Sequence, residues 1–402
     1  MNTPRYRFLQ HLLPFFLLLA GLQSCSKTEN PVEPIREERG AIVKQSLLGN
    51  FTAANLQQLL SSNNITMPFA LSYSVTSLSI EYYTVDAKGN LLLASGALVV
   101  PQGPGQFPLA SIQHGTQTRS TLVASVSPFN STEGLIGLVM ASMGYVVVVP
   151  DYPGFGVSKG IHPYLHAESL TPCVIDLMRA ARAFSTTNQV SLNGKVFLTG
   201  YSEGGYVTLA TQQAIEEKYA SEFILTGVAP MAGPYDLQGT IESILQTNTY
   251  TTPAYVAFFL TAYNDVYKWN RLESFFNPPY ASRMPGLFDG SKTWGEIVNQ
   301  LPTTFSALMN PAFVANYLGG SEQAVRAAVQ ENTLLNWRPR APIHFFHGDA
   351  DDVVPIQNAH TAMSVFRSSG ASNVQLTIIP GGTHESAGPI AVVGALQWFR
   401  TM

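Results

Sequence analysis

The residues best placed to do chemistry are Gly200-Tyr-Ser-Glu-Gly204, a G-x-S-x-G string set between two unlike stretches. Val196 to Thr199 before it are β-branched or apolar at nearly every position and read as a short buried strand. Glu203 to Glu217 after it read as a helix, with Val207, Leu209, Ala210, Ala214 and Ile215 as its apolar positions. A strand that turns at once into a helix forces its central residue into a strained conformation, and only glycine neighbours leave room for the bend. Ser202 would then stand above the sheet at a helix N-terminus, where developing negative charge is stabilised. The chemistry open to it is nucleophilic attack. Its hydroxyl is weak at neutral pH, so it needs a base to take the proton and an acid to hold that base.

The elements around this turn alternate. Leu78 to Val85 and Leu91 to Val100 read as a strand pair joined at Asp86-Ala-Lys-Gly-Asn90, and Pro108 to Gln113 as a third strand. Gly144 to Pro150 reads as a buried parallel strand, the strand before Ser202 is fifth, and Ile224 to Met231 is sixth. Helical patterns lie between them at Leu135 to Met143 and Glu168 to Ser185, and Ala41 to Ser62 reads as a helix ahead of the sheet. This rhythm predicts an α/β chain with a mostly parallel, doubly wound sheet. From Leu237 to about Arg338 no strand pattern appears, and aromatics such as Tyr250, Tyr255, Phe258, Phe259 and Tyr263 accumulate. Pro342 to Phe346 resumes the sheet as the seventh strand, Ile356 to Ser368 reads as a helix and Val374 to Ile379 as the last strand.

Four strings together resemble the α/β-hydrolase superfamily, and within it the secretory lipase-like group. They are His114-Gly-Thr-Gln117, Pro150-Asp-Tyr-Pro-Gly-Phe-Gly156, Gly200-Tyr-Ser-Glu-Gly-Gly205, and the long insertion that follows Gly233-Pro-Tyr-Asp236. The resemblance covers about Leu71 to Met402 and implies a helical cap inserted between the sixth and seventh strands. It also implies a chain order of serine, acid, histidine. That order makes His384, in Gly381-Gly-Thr-His384 after the last strand, the base. His360 falls inside a helix pattern, where a solvent-facing or capping role is expected. The string His347-Gly-x-x-Asp-x-x-Val-Pro355 resembles a recurring superfamily pattern and makes Asp351 the acid, with Asp236 as the alternative and Asp349 and Asp352 as neighbours for loop amides. The backbone amides of Thr116 and Glu203 would form the oxyanion hole.

The activity implied is hydrolysis of carboxylic esters, on lipid or aryl substrates, through an acyl-serine. A serine peptidase of the prolyl aminopeptidase or oligopeptidase type is the first alternative, and a surface lipoprotein that binds a ligand without turning it over is the second. A few cap aromatics would line the pocket while most pack the cap on the core. Glu203 in the first helical turn suits the dipole whatever the chemistry, and could also disfavour anionic substrates.

Other chemistries are excluded on residue pattern. Gly154 and Gly156 lack the third glycine of a dinucleotide loop, so no nucleotide cofactor is expected. The cluster Asp349-Ala-Asp-Asp352 fails as an EF-hand because Val353 and Val354 stand where an oxygen ligand and a glycine are required. No H-E-x-x-H or thiolate cluster is present, so neither metal nor cofactor is required. A formal net charge of −4 with no basic run argues against nucleic acid as a partner.

The N-terminus reads as an address. Arg5 and Arg7 precede the apolar run Leu12 to Leu22, too short to span a bilayer, and Leu22-Gln-Ser-Cys25 resembles a bacterial lipobox. Lipid on Cys25 would anchor the chain to the membrane of a bacterial cell envelope, several acyl chains giving a stability that one does not. The division expected is a signal peptide over 1–24, a tether over 25–40, hydrolase core over 41–236 and 339–402, and the cap over 237–338. Cys173, the only other cysteine, sits in an apolar helix pattern and reads as a small core residue.

Overall fold

The computed structural model describes residues 37–63, 65, 67–247, 250 and 252–402. Cys25, the segment 1–24 and most of 25–40 lie outside the described residues. The strands are β1 (Ile42–Phe51), β2 (Ser74–Val85), β3 (Leu91–Gln102), β4 (Phe107–Gln113), β5 (Val146–Pro150), β6 (Leu192–Tyr201), β7 (Gly227–Met231), β8 (Ile343–Gly348) and β9 (Val374–Ile379). They form one sheet in the order β1-β2-β3-β5-β4-β6-β7-β8-β9. The pairs from β1 to β3 and from β3 to β5 are antiparallel, and every pair from β5 through β9 is parallel. The doubly wound, mostly parallel sheet expected from the alternation is therefore present.

The first element differs from its expectation. Ile42–Phe51 is a strand, and only Ala53–Ser62 (α1) is helical, with Thr52 capping it by accepting from the Asn55 amide at 3.1 Å. Leu47, Leu48 and Phe51 fit either period, and pairing decides between them, because β1 finds β2 from Ile42↔Tyr82 to Phe51↔Val75. Leu47 is consequently 61% exposed instead of packing on the domain. This extra strand makes β7 and β8 the sixth and seventh strands of the sequence reading. Ile224 lies outside β7 and is 78% exposed.

Helices α1, α2 (Thr132–Ser142) and α14 (His384–Phe399) pack on one apolar cluster through Leu56, Leu138, Met140, Ala391 and Phe399. Helices α3 (Ala167–Thr187), α4 (Glu203–Lys218) and α13 (Gln357–Ser368) pack on the other through Leu170, Leu177, Val207 and Phe366. Cys173 is buried in α3 as a free thiol.

Between β7 and β8 the described elements are all helices: α5 (Leu237–Thr247), α6 (Ala254–Val266), α7 (Leu272–Phe275), α8 (Tyr280–Leu287), α9 (Trp294–Val298), α10 (Phe305–Leu308), α11 (Pro311–Leu318) and α12 (Gln323–Glu331). Their aromatics are mostly core. Phe258 lies stacked between Tyr164 and Phe288 at ring distances of 4.5 and 4.6 Å, and burial of each such ring contributes about 2 kcal/mol. Among the described residues no helix is long and apolar enough to cross a membrane.

Candidate active site

Strand β6 ends at Tyr201 and α4 begins at Glu203, leaving Ser202 alone in the turn with φ 61° and ψ −121°. No side chain adopts that backbone without strain, and the neighbours explain how it persists. A Cβ on Gly200 would lie 2.6 Å from the Gln113 carbonyl oxygen, and one on Gly204 would lie 2.1 Å from it. The glycines thus let α4 and β6 press against the end of β4. The Ser202 amide donates to the Met231 carbonyl at 2.9 Å, tying the turn to β7.

Three segments far apart in sequence converge on this serine. His384 opens α14, where Thr383 and Ser386 form a capping box that fixes the first turn. Its Nε2 lies 2.8 Å from Ser202 Oγ, and its Nδ1 lies 2.8 Å from Asp351 Oδ2. The Tyr201 hydroxyl donates to the His384 carbonyl at 2.7 Å, holding the histidine backbone to the end of β6.

Asp351 follows β8 with its side chain fully buried. Its Oδ1 accepts from the amides of Val353 and Val354 at 3.0 and 2.8 Å. Burial alone would raise this carboxyl, but the hydrogen bonds from His347 and His384 outweigh it and hold the group well below the usual carboxylate range. Its neighbours serve the loops: Asp349 Oδ1 accepts from the Gly381 amide at 2.6 Å and Asp352 Oδ1 from the His384 amide at 3.3 Å. Asp236 lies elsewhere in the hydrogen-bond pattern, its Oδ1 accepting from the Gly239 amide at 3.0 Å in the first turn of α5. Ser202, Asp351 and His384 are brought together; Asp236 and His360 make no hydrogen bond to any of them among the described residues.

The loop after β4 lies against the same turn. A Cβ on Gly115 would come within 3.3 Å of the Tyr201 carbonyl oxygen, and the Gly115 amide is occupied by Glu133 Oε1 at 3.0 Å. The amides of Thr116 and Glu203 have no acceptor among the described residues. Beside Ser202 a cavity of about 50 Å³ opens, lined by Glu203, Tyr164, Ile241, Tyr255, Val256 and Phe259 among others. Ile241, Val256 and Phe259 also line a smaller apolar cavity of about 10 Å³ that reaches Leu245, Phe313 and Tyr317. A larger cavity of about 550 Å³ lies beside Trp337, Arg338 and Asn373, at the opposite ends of the parallel strands, and Ser202 does not line it.

Two further histidines lie around this site, and neither has a role in the sequence reading. His347 Nε2 donates to the Val354 carbonyl at 2.8 Å and lies 3.3 Å from Asp351 Oδ2. His162 Nε2 lies 2.6 Å from Glu203 Oε1, so the carboxylate beside Ser202 is a buried, paired group and not a free charge at the helix start. His347 lies near the end of β8 and heads the string that pointed to Asp351, and that spacing could have suggested the first contact. The second joins residues 41 apart and has no local signature.

A model of the secretory lipase family matches residues 130–401 of this chain. A secreted triacylglycerol lipase of Malassezia furfur is 23% identical over 354 residues, covering 86% of this chain and 66% of its own length. Lipase 4 of Candida albicans is 23% identical over 279 residues, covering 64% of this chain and 55% of its own. The chain thus spans between about half and two thirds of the length of these relatives. Among solved structures, the rice cell wall degrading esterase LipA from Xanthomonas oryzae superposes with a TM-score of 0.81 at 28% identity, over 90% of this chain and 98% of that one. Candida antarctica lipase A shares the fold, with a TM-score of 0.67 at 18% identity over 90% of this chain and 82% of that one.

Proposed function

Because the chain belongs to the secretory lipase family, we propose that it is a serine hydrolase that cleaves carboxylic esters through an acyl-serine intermediate. The observation that carries this reading is the unbroken line of hydrogen bonds from Ser202 Oγ through His384 to Asp351, each 2.8 Å. His384 Nε2 takes the serine proton as Oγ attacks the ester carbonyl, and later returns it to the leaving alcohol. Asp351 fixes the Nδ1–H tautomer and stabilises the imidazolium that forms. The free amides of Thr116 and Glu203 receive the oxyanion, and water then attacks the acyl-serine with His384 again as base.

The apolar residues Ile241, Val256 and Phe259 give the acyl group its channel, which favours aliphatic or aryl acyl chains over charged ones. In this reading residues 237–338 are the cap and residues 41–236 and 339–402 the hydrolase core. Residues 1–24 are a signal peptide, 25–40 a tether, and lipid on Cys25 anchors the mature chain to the cell envelope. Radiolabelled palmitate should be incorporated by the wild type and not by Cys25→Ala; equal labelling of both removes the anchor.

The test of the activity is hydrolysis of a p-nitrophenyl ester series, from acetate to long acyl chains, by the wild type and Ser202→Ala. Turnover that disappears in the variant is expected. A folded chain with neither turnover nor labelling of Ser202 by a fluorophosphonate is a binding protein, and labelling without ester turnover points to a peptidase.

A further inference from the structure

The carboxylate next to the nucleophile belongs to Glu203, and a residue 41 positions away, His162, lies against it. Glu203 is 1% exposed and His162 is 2% exposed. His162 Nδ1 lies 2.9 Å from the Pro153 carbonyl oxygen, which only accepts, so Nδ1 carries a hydrogen. Its Nε2 lies 2.6 Å from Glu203 Oε1. Without a proton there, lone pairs would face each other at that distance. The contact therefore holds one proton, carried as imidazolium against carboxylate or as neutral ring against neutral acid. Glu203 Oε2 is buried and has no hydrogen-bond partner among the described residues, so no second donor offsets the charge.

The loop after β5 is built to present this ring. Gly154, with φ +91°, passes so close that a Cβ there would lie 2.8 Å from both His162 Cα and its amide nitrogen. The imidazole stacks on Phe155 with centroids 4.5 Å apart. Among the described residues no other cationic side chain forms a salt bridge with Glu203. Tyr152 and Tyr164 from the same loop, Tyr206 from α4 and Tyr255 from α6 are neutral phenols. Burial raises each, and the negative charge of Glu203 adds to it. Glu133, from α2, is negative and engaged with the Gly115 amide. His384 and Asp351, across Ser202, are paired with each other.

The residue after the nucleophile faces opposed demands. Its amide donates to the oxyanion, yet an unbalanced carboxylate on the same residue would oppose the negative charge forming there. We propose that His162 is a positioning residue that acts through Glu203: the pair keeps one proton throughout turnover, so that the residue whose amide meets the oxyanion presents no net negative charge to it. This rests on the acyl-serine reading and on the Glu203 amide as donor.

The test is kcat between pH 6 and 9 for the full chain, as wild type, His162→Gln, Glu203→Gln and the double variant. One neutral short-chain p-nitrophenyl ester serves throughout, with fluorophosphonate labelling and thermal melts in parallel. His162→Gln keeps a donor but cannot carry charge. At pH 8 its kcat should fall about tenfold or more with KM changed less than about twofold. Adding Glu203→Gln should recover most of that loss. If His162→Gln does not fold, His162→Asn with and without Glu203→Gln carries the same comparison. The proposal is overturned by wild-type kcat in His162→Gln at pH 8, or by a double variant no faster than His162→Gln. No turnover and no Ser202 labelling in the wild type would instead overturn the acyl-serine reading itself.

Discussion

His347 reaches Asp351 Oδ2 at 3.3 Å, the same oxygen that His384 Nδ1 meets at 2.8 Å, so the buried carboxylate is held from two histidines at once. His347 is wholly buried, and its Nε2 faces two acceptors, the Val354 carbonyl and Asp351 Oδ2, so that nitrogen carries the hydrogen and donates. His347→Phe keeps the ring volume and removes the donor, leaving Asp351 to turn. The expected result is a fall in kcat of about tenfold with little change in KM, and a loss of about 1 kcal/mol of stability. Steady-state kinetics beside a thermal melt check both; unchanged kcat would mean that the backbone amides of Val353 and Val354 orient the acid alone.

The depressed carboxyl of Asp351 also links stability to pH. Its folded pKa lies below the unfolded value of about 3.9, so the unfolded chain binds the proton first. The stabilisation is present above about pH 4 and is lost as pH falls toward the folded value. Urea midpoints measured at pH 5 and pH 3 should therefore drop further for the wild type than for Asp351→Asn, which has no carboxyl to protonate. Equal drops would mean that other carboxyl groups account for the acid sensitivity.

Much of this arrangement was legible in the sequence because the turn at Ser202 is governed by local sterics. A strand, two glycines around a serine, and a helix admit few geometries, and the alternation of strands and helices specifies a parallel sheet. The β1 strand was not legible: Leu47, Leu48 and Phe51 satisfy both periods, and the choice is made by hydrogen bonding to β2, more than twenty residues on. The partner of Glu203 was equally hidden. His162 sits in a loop rich in glycine and proline with no periodicity, and only the fold of that loop brings its ring to α4.

Backbone crowding at the turn gives a direct contrast between two glycines. Gly204→Ala places a methyl 2.1 Å from the Gln113 carbonyl oxygen, and neither β4 nor α4 can withdraw without moving Ser202. A loss of about 3 kcal/mol or more, together with loss of activity, is expected. Gly286, in α8, has no atom within 4 Å of a built Cβ. Gly286→Ala should raise stability by about 0.5 kcal/mol through reduced freedom of the unfolded chain and leave kinetics unchanged. Denaturant unfolding of the two variants decides; similar effects from both would show that crowding at the turn is not what selects glycine.

Chain-length preference should respond to residues shared by the two apolar cavities. Val256 lines both and is 4% exposed. Val256→Phe fills the passage between them, and should lower the ratio of octanoate to acetate hydrolysis by roughly tenfold while sparing acetate. Retention of the wild-type ratio would place the acyl chain outside this channel.

The most direct measurement is peptide mapping by mass spectrometry after acid quenching a p-nitrophenyl ester reaction during turnover. The acyl mass is expected on the peptide that carries Ser202 and is expected to be absent from Ser202→Ala. Ester hydrolysis that proceeds with the acyl group on a different residue, or with undiminished rate in Ser202→Ala, would contradict the account.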